Sequence, residues 1–144
     1  MESKSFAFLI SLLRKNFVKF CTEELQKLDL TYNQLFILLY INKKEEATQI
    51  EISKFLKLDK SQLNRTLNKL NEKLLIESEK SKSDKRKIII KLTTSGIDTV
   101  NKSKDLFYKW DNIILNNLTE DEKKQVTSLI GKIVKNISEV NIWN

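Results

Sequence analysis

Apolar positions recur at steps of three and four along most of the chain. From Phe6 the series runs through Leu9, Ile10, Leu13, Phe17, Phe20, Cys21 and Leu28, with Glu24 its one charged member. That spacing predicts a long amphipathic helix. Asp29-Leu30-Thr31 breaks it, and Thr31 is placed to cap a second helix carrying Leu35, Phe36, Leu38, Leu39 and Ile41. The polar stretch Asn42 to Glu46 reads as a loop. Thr48-Gln49-Ile50-Glu51 then has the capping-box pattern, in which a hydroxyl and a carboxylate satisfy backbone donors that a first helical turn strands. The short helix it opens carries Ile52, Phe55 and Leu56 and stops near Lys57-Leu58. Asp59 caps the next helix, with Gln62 as a reciprocal partner three residues on. There Leu63, Leu67, Leu70 and Leu74 form one buried stripe, and Lys60, Ser61, Gln62, Asn64, Arg65, Asn68 and Lys69 occupy the opposite face.

The period then changes. Leu75 to Lys80 and Arg86 to Leu92 bracket a polar loop, Ser81 to Lys85, and in the second run Ile88, Ile90 and Leu92 share one face at period two. This predicts a hairpin whose loop is too long and too charged for a tight turn. Thr93 or Thr94 starts another long helix with Ile97, Val100, Phe107, Trp110, Ile114 and Leu118. Thr119-Glu120-Asp121-Glu122 opens the last, which carries Val126, Leu129, Ile130, Ile133, Val134, Ile137 and Val140. The expected fold is mainly α with a small β-hairpin, ordered helix, helix, helix, helix, hairpin, helix, helix. Its 144 residues suit a single domain.

Composition narrows the function classes. Pro is absent and Gly occurs twice, which disfavours an all-β fold. There is no His and one Cys, so His-based metal sites, Ser-His-Asp triads, Cys clusters and intrachain disulfides are excluded. Gly-rich phosphate loops are missing as well. No metal, no cofactor and no enzyme activity are therefore expected. The apolar run Phe6 to Leu13 is broken by Ser11 and followed by Arg14 and Lys15, short of the ~20 apolar residues of a membrane span. A cytoplasmic protein without a membrane partner is expected.

Charge points to a partner. Of a net +7, nearly all lies between Lys43 and Lys91, where 14 basic residues face 8 acidic ones; the rest of the chain carries 12 and 11. A general compositional bias would not concentrate charge in this way. A short helix, a tight turn, and a second helix with one buried and one polar face make a helix-turn-helix, whose second helix can enter a DNA major groove. Gln62 and Asn64 suit adenine edges, Arg65 suits guanine, Ser61 suits phosphate or base, and Lys60 and Lys69 suit phosphates. From Lys80 to Lys91 six cations (Lys80, Lys82, Lys85, Arg86, Lys87, Lys91) meet one acid, Asp84. Like charges so concentrated repel one another, but beside a duplex they gain from counterion release. Arg86 suits a narrow minor groove, and Asp84 can hold its guanidinium in place.

These motifs carry a resemblance. Thr48-Gln49-Ile50-Glu51-Ile52, Leu58-Asp59-Lys60-Ser61-Gln62-Leu63-Asn64-Arg65, Leu70, Leu75-Ile76, Asp84-Lys85-Arg86 and Leu92-Thr93-Thr94-Ser95-Gly96 together resemble the MarR family of winged helix-turn-helix transcription regulators. The likeness implies a winged helix-turn-helix lobe over residues 31–92. It also implies a helical dimerisation region, residues 1–30 and 93–144, within one domain of 1–144. It implies a homodimer on double-stranded DNA with a pseudo-palindromic operator, Asp59 to Leu74 as the recognition helix, and Arg86 as a minor-groove finger supported by Asp84. With Asn68, Lys87, Thr48 and Gln49 added, the expected DNA-facing set is Thr48, Gln49, Lys60, Ser61, Gln62, Asn64, Arg65, Asn68, Lys69, Lys82, Lys85, Arg86 and Lys87. The family often has Gly where Leu74 stands, Arg where Ser78 stands, and an acid where Ser81 stands.

A ligand- or signal-responsive repressor is the leading expectation. The resemblance implies a small, often aromatic effector, for which Tyr32, Phe36, Phe107, Tyr108 and Trp110 are the candidate lining; plain core packing is the simpler account of those rings. Cys21 shares the apolar stripe with Phe17 and Phe20, so it reads as a small hydrophobe rather than a redox sensor. A second reading is an interaction module that docks protein or RNA through the basic hairpin; Gln62, Asn64, Arg65 and Arg86 weigh against it.

Overall fold

All the α-helices but the first begin where a short polar side chain accepts a stranded backbone N–H. The computed structural model describes residues 5–140, the last three as backbone only, so the side chain of Val140 lies outside the described residues. α1 (Phe6–Leu25) passes through a 3-10 turn at Gln26–Leu28 into α2 (Tyr32–Lys44). The Thr31 hydroxyl accepts from the Gln34 N–H at 3.2 Å, and Gln34 Oε1 accepts from the Thr31 N–H at 3.1 Å. Thr48 and Glu51 make the same box before α3 (Gln49–Leu56). Asp59 accepts from the Gln62 N–H at 2.8 Å ahead of α4 (Lys60–Glu72). Thr93 accepts from the Gly96 N–H to start α5 (Thr94–Ile114), and Thr119 with Glu122 boxes the start of α6 (Glu120–Val140). Each cap of this kind stabilises its helix by about 1 kcal/mol.

Between α4 and α5 lie β1 (Ile76–Lys80) and β2 (Ile88–Leu92), antiparallel, in register from Ile76 opposite Leu92 to Lys80 opposite Ile88. Ala47 adds a bridge on the far side of β2: its N–H donates to Ile90 O at 3.0 Å and its carbonyl accepts from the Ile90 N–H at 2.8 Å. β2 is thus the middle of a three-part sheet. This explains why Ile90 is buried. Ile88, expected on the same covered face, lies beyond the reach of the core and is half exposed.

The described chain divides into two compact units, one up to Phe107 and one from Tyr108 on. In the first, α2 is the central element, with Leu35, Ile37, Leu38 and Ile41 fully buried. Around it pack Cys21 and Leu25 of α1, Ile52 of α3, Leu63, Leu67 and Leu70 of α4, Ile76 and Ile90 of the strands, and Val100 and Leu106 of α5. The first half of α1 lies apart from this core, and Phe6, Leu9 and Leu13 are about half exposed. In the second unit Val126, Leu129, Ile133, Val134 and Ile137 of α6 are exposed and Ile130 is half-buried.

Further expectations are corrected, among them Leu118, which lies beyond the end of α5 at Ile114. The first helix ends at Leu25, and Leu28 belongs to the 3-10 turn. α2 continues through Asn42 and Lys44, because a polar last turn is well solvated and two lysines suit a helix C-terminus. Leu74 does not complete the buried stripe of α4. It is 71% exposed and sits in the left-handed region at φ 57°. Its N–H donates to Asn71 O and the Leu75 N–H donates to Leu70 O, the two bonds of a Schellman closure, with Leu74 where glycine is usual. A left-handed leucine costs about 1–2 kcal/mol of backbone energy, partly offset in Gly by its greater unfolded-state freedom. Leu74→Gly should therefore raise stability by about 0.5–1 kcal/mol in denaturant unfolding. A loss would show that the exposed side chain is engaged in packing.

Candidate nucleic-acid interface

The turn between α3 and α4 is only three residues, Lys57 to Asp59. Lys57 closes α3 in the left-handed region (φ 55°), its N–H donating to Ser53 O at 2.7 Å, while the Ser53 hydroxyl donates to Leu58 O at 2.9 Å. This locks the angle between the two helices. Leu63, Leu67 and Leu70 hold the inner face of α4 on the core. The outer face presents Lys60, Ser61, Gln62, Arg65, Asn68 and Lys69 as exposed side chains, with Asn64 half-buried at its edge. Arg65 Nη1 donates to Ser61 Oγ at 3.3 Å, which orients the guanidinium along the helix. An open cleft of about 450 Å³ separates the two helices and is lined by Gln49, Ile50, Ser53, Lys54, Lys60 and Leu63. Gln49 is therefore exposed beside the outer face of α4, whereas the Thr48 hydroxyl is engaged by Glu51 in the cap. Ser53, Lys54 and Ile50 were absent from the expected set; a short polar helix face carries no signal that separates them from ordinary surface.

The hairpin loop is folded around two small polar groups. Ser81 is buried, its N–H donates to Lys87 O at 2.9 Å, and its hydroxyl accepts from the Asp84 N–H at 3.4 Å and shares a 3.0 Å hydrogen bond with the Ser83 hydroxyl. Serine thus organises the wing at the position where the family often has an acid. Asp84 Oδ1 accepts from the Arg86 backbone N–H at 3.0 Å and stands 3.8 Å from Arg86 Nε. The Arg86 side chain itself is 96% exposed. Asp84 braces the base of the arginine and leaves the guanidinium in solvent, which is the geometry of a probe. Lys82, Lys85 and Lys87 are exposed around it. Lys91 behaves differently. Its ammonium lies 2.6 Å from Glu79 Oε1 and 3.7 Å from Glu46 Oε2. Its hydrogen bond holds the Glu79 carboxyl below its ordinary range, and Glu79 in turn raises Lys91. Lys91 is therefore a brace at the base of the wing, and the outward charge is concentrated at the tip.

Of the aromatic residues expected around an effector, Tyr32, Phe36 and Phe107 converge, joined by Phe17. Tyr32 and Phe36 have centroids 4.5 Å apart, and Phe17–Tyr32, Phe17–Phe107 and Phe36–Phe107 lie at 6.1–6.4 Å. Offset and edge-on contacts of this kind are a favourable aromatic packing. Tyr108 and Trp110 belong to the second unit, where Tyr108 is 70% exposed and Trp110 is half-buried. Cys21 is fully buried, and desolvation pushes its thiol from 9.0 up to about 11. The folded state favours the protonated thiol, so this contribution is intact below pH ~9 and is lost as pH rises toward ~11. Denaturation midpoints of the wild type should fall across that window more steeply than those of Cys21→Ala. A thiol reagent should label Cys21 at neutral pH only as the protein unfolds; fast labelling of the native chain would contradict the burial.

Among the described residues no group of three His, Cys, Asp or Glu side chains is gathered to hold a metal, and no helix is long and apolar enough to cross a membrane. A family described as transcriptional regulator SarA/Rot matches residues 19–103. The chain is similar to the HTH-type transcriptional regulator BilQ of Clostridium symbiosum, 35% identical over 132 residues that cover 92% of each protein. Its fold is similar to a crystal structure of MarR with a TM-score of 0.89 and 25% identity, over 98% of this chain and 97% of that one. It is also similar to a mutant MarR from E. coli complexed with operator DNA, with a TM-score of 0.73 and 29% identity, over 88% and 91% of the two chains.

Proposed function

The chain belongs to the SarA/Rot family of MarR-type winged-helix transcriptional regulators, which bind DNA, and from that premise we propose that it is a repressor acting as a homodimer on a pseudo-palindromic operator. The observation that carries the reading is the exposed polar face of α4, Ser61, Gln62, Arg65, Asn68 and Lys69, held rigidly beside a wing whose Arg86 is braced and exposed. Arg65 and Gln62 read base edges, Lys60, Lys69 and the wing lysines neutralise phosphates, and Arg86 enters a flanking minor groove. Repression follows from occluding a promoter. The action is binding without turnover, and the working compartment is the cytoplasm.

Two observations support the homodimer. The first half of α1 and one side of α6 each leave a row of large apolar side chains exposed, a cost that a second copy of the chain removes. Gly131, in the middle of α6, has open space where a Cβ would be, so no neighbour among the described residues calls for a glycine there. The dimerisation region of residues 1–30 and 93–144 is part of this proposal, as is a small aromatic effector, for which the cluster of Phe17, Tyr32, Phe36 and Phe107 offers a stacking surface.

The test is fluorescence anisotropy with duplex DNA from upstream of the chain's own gene against a shuffled duplex, over a salt series, with the solution mass measured in parallel. A mass of two chains and a preference of ~10³ or more that survives ~150 mM salt are expected. Equal, salt-fragile binding to the upstream duplex, the shuffled duplex and duplexes selected from the genome would overturn the reading. Arg65→Ala should weaken the preferred duplex by about 1–3 kcal/mol and relax the preference at one base position, with little change on shuffled DNA.

A further inference from the structure

Among the lysines of the recognition helix, Lys73 turns inward. It is the C-cap residue of α4, and its side chain is 29% exposed, whereas Lys60 and Lys69 stand in solvent. Its ammonium donates to the Asp29 carbonyl and, at 3.2 Å, to Gln34 Oε1, and it lies 3.5 Å from Asp29 Oδ2. An ammonium has three donors, and these three acceptors account for all of them. The acceptors belong to the corner where α1 hands over to α2. Asp29 closes the 3-10 turn after α1 in the left-handed region, and the Leu30 N–H donates back to Leu25 O, so Lys73 places a positive charge at the negative end of α1. Gln34 is almost fully buried, and the same Oε1 receives the Thr31 N–H of the α2 cap. One lysine therefore joins the end of the recognition helix to the end of α1 and the start of α2.

We propose that Lys73 is a positioning residue for DNA binding: its ammonium ties the end of α4 to the α1–α2 corner, fixing the recognition helix relative to α1 and so the half-site spacing that the assembled protein accepts. This rests on the homodimer and operator reading above. Lys73 does not contact phosphate, since its donors are engaged; Lys69, one turn earlier and exposed, does.

The experiment compares Lys73→Met, Lys73→Arg, Asp29→Asn and Lys69→Met on two duplexes. One is the tightest duplex selected by the wild-type chain from a randomised pool; the other is the same sequence with its half-sites moved apart by one base pair. The ratio of the two affinities is read together with the salt slope. A variant that is merely less stable loses active protein equally on both duplexes and keeps the wild-type ratio. For Lys73→Met the expected result is an affinity ratio reduced about tenfold with an unchanged salt slope. Asp29→Asn should shift the ratio in the same direction although it removes an acid, and Lys73→Arg should restore part of it. Lys69→Met should keep the ratio and lose about one unit of slope. A Lys73→Met protein that keeps the wild-type ratio, or that loses a unit of slope as Lys69→Met does, overturns the proposal. Wild-type protein indifferent to spacing overturns both this and the two-fold reading, and that failure is seen in the wild-type arm alone.

Discussion

Gly96→Ala should cost about 3 kcal/mol of stability, one of the two largest effects expected of a small change in this chain. Gly96 is buried in the first turn of α5, where the helix is laid against the backbone of Leu75. A Cβ there would overlap the Leu75 carbonyl oxygen and stand 3.1 Å from its carbon and 3.3 Å from Leu92 Cβ. The neighbours cannot step aside cheaply. Leu75 O already accepts the Thr93 N–H at 3.1 Å, and the Thr93 hydroxyl donates to Leu74 O at 2.6 Å while accepting from the Gly96 N–H. Making room strains or breaks this set, each bond worth ~1 kcal/mol, on top of an overpacking cost of about 1–3 kcal/mol. The alternative has the opposite sign, because in a helix free of contacts Ala is better than Gly by about 1 kcal/mol. A melting temperature lower by roughly 10 °C is expected at this chain size. An unchanged or raised value would mean that α5 does not rest on Leu75. The Leu-Thr-x-x-Gly run that helped to mark the family is thus a backbone joint, with threonine as cap and tether and glycine as clearance.

The second large effect is electrostatic. Replacing Lys82, Lys85 and Lys87 together by Gln should make the dependence of log affinity on log salt shallower by nearly three units, at about 0.9 per phosphate contact. Affinity should fall about a hundredfold near ~0.15 M salt, for preferred and shuffled duplexes alike. The fold should be untouched, since all three side chains are exposed and the loop is held by Ser81 and Asp84. Salt-series anisotropy at constant protein checks this. A change of slope below one unit would place the wing away from the DNA. The same substitution at Lys91 should leave the slope alone, because its charge is spent on Glu79 and Glu46.

The difference between Lys91 and its neighbours shows where a linear reading of the chain stops. Helix starts were legible because capping is local: Thr31, Thr48, Asp59 and Thr119 act on residues three positions away. The polar face proposed to meet DNA was legible because a period of three and four sorts α4 into a leucine side and a polar side. Leu74 broke that rule. Periodicity counts it as the next core position, but the chain has already turned left-handed there and swung it outward. Lys73 and Lys91 could not be sorted at all, since their partners lie on other elements of the fold and a lysine looks the same whether it meets a phosphate or a carboxylate. Counting charge from Lys80 onward also left out Glu77 and Glu79 on β1, which sit opposite Lys91 and Ile89 in the ladder. The aromatic cluster was found without Phe17, whose place on the α1 stripe gave no hint that it faces Tyr32 and Phe107.

The paired hydrogen bonds between Ala47 and Ile90 give the wing a load path. A hairpin hinged only at its base would bend freely and accept many groove widths. Here the strand that returns from the tip is bonded to the residue just before the cap of α3, so a force that lifts the wing pulls on the start of the helix-turn-helix. On the proposed reading, in which α4 and the wing both contact DNA, the two are limbs of one stiff frame. A duplex that satisfies α4 but presents its minor groove at the wrong height cannot be accommodated by flexing the wing alone. Mismatch at either contact is then charged to the whole lobe, and selectivity depends on the separation of the contacts as well as on their chemistry.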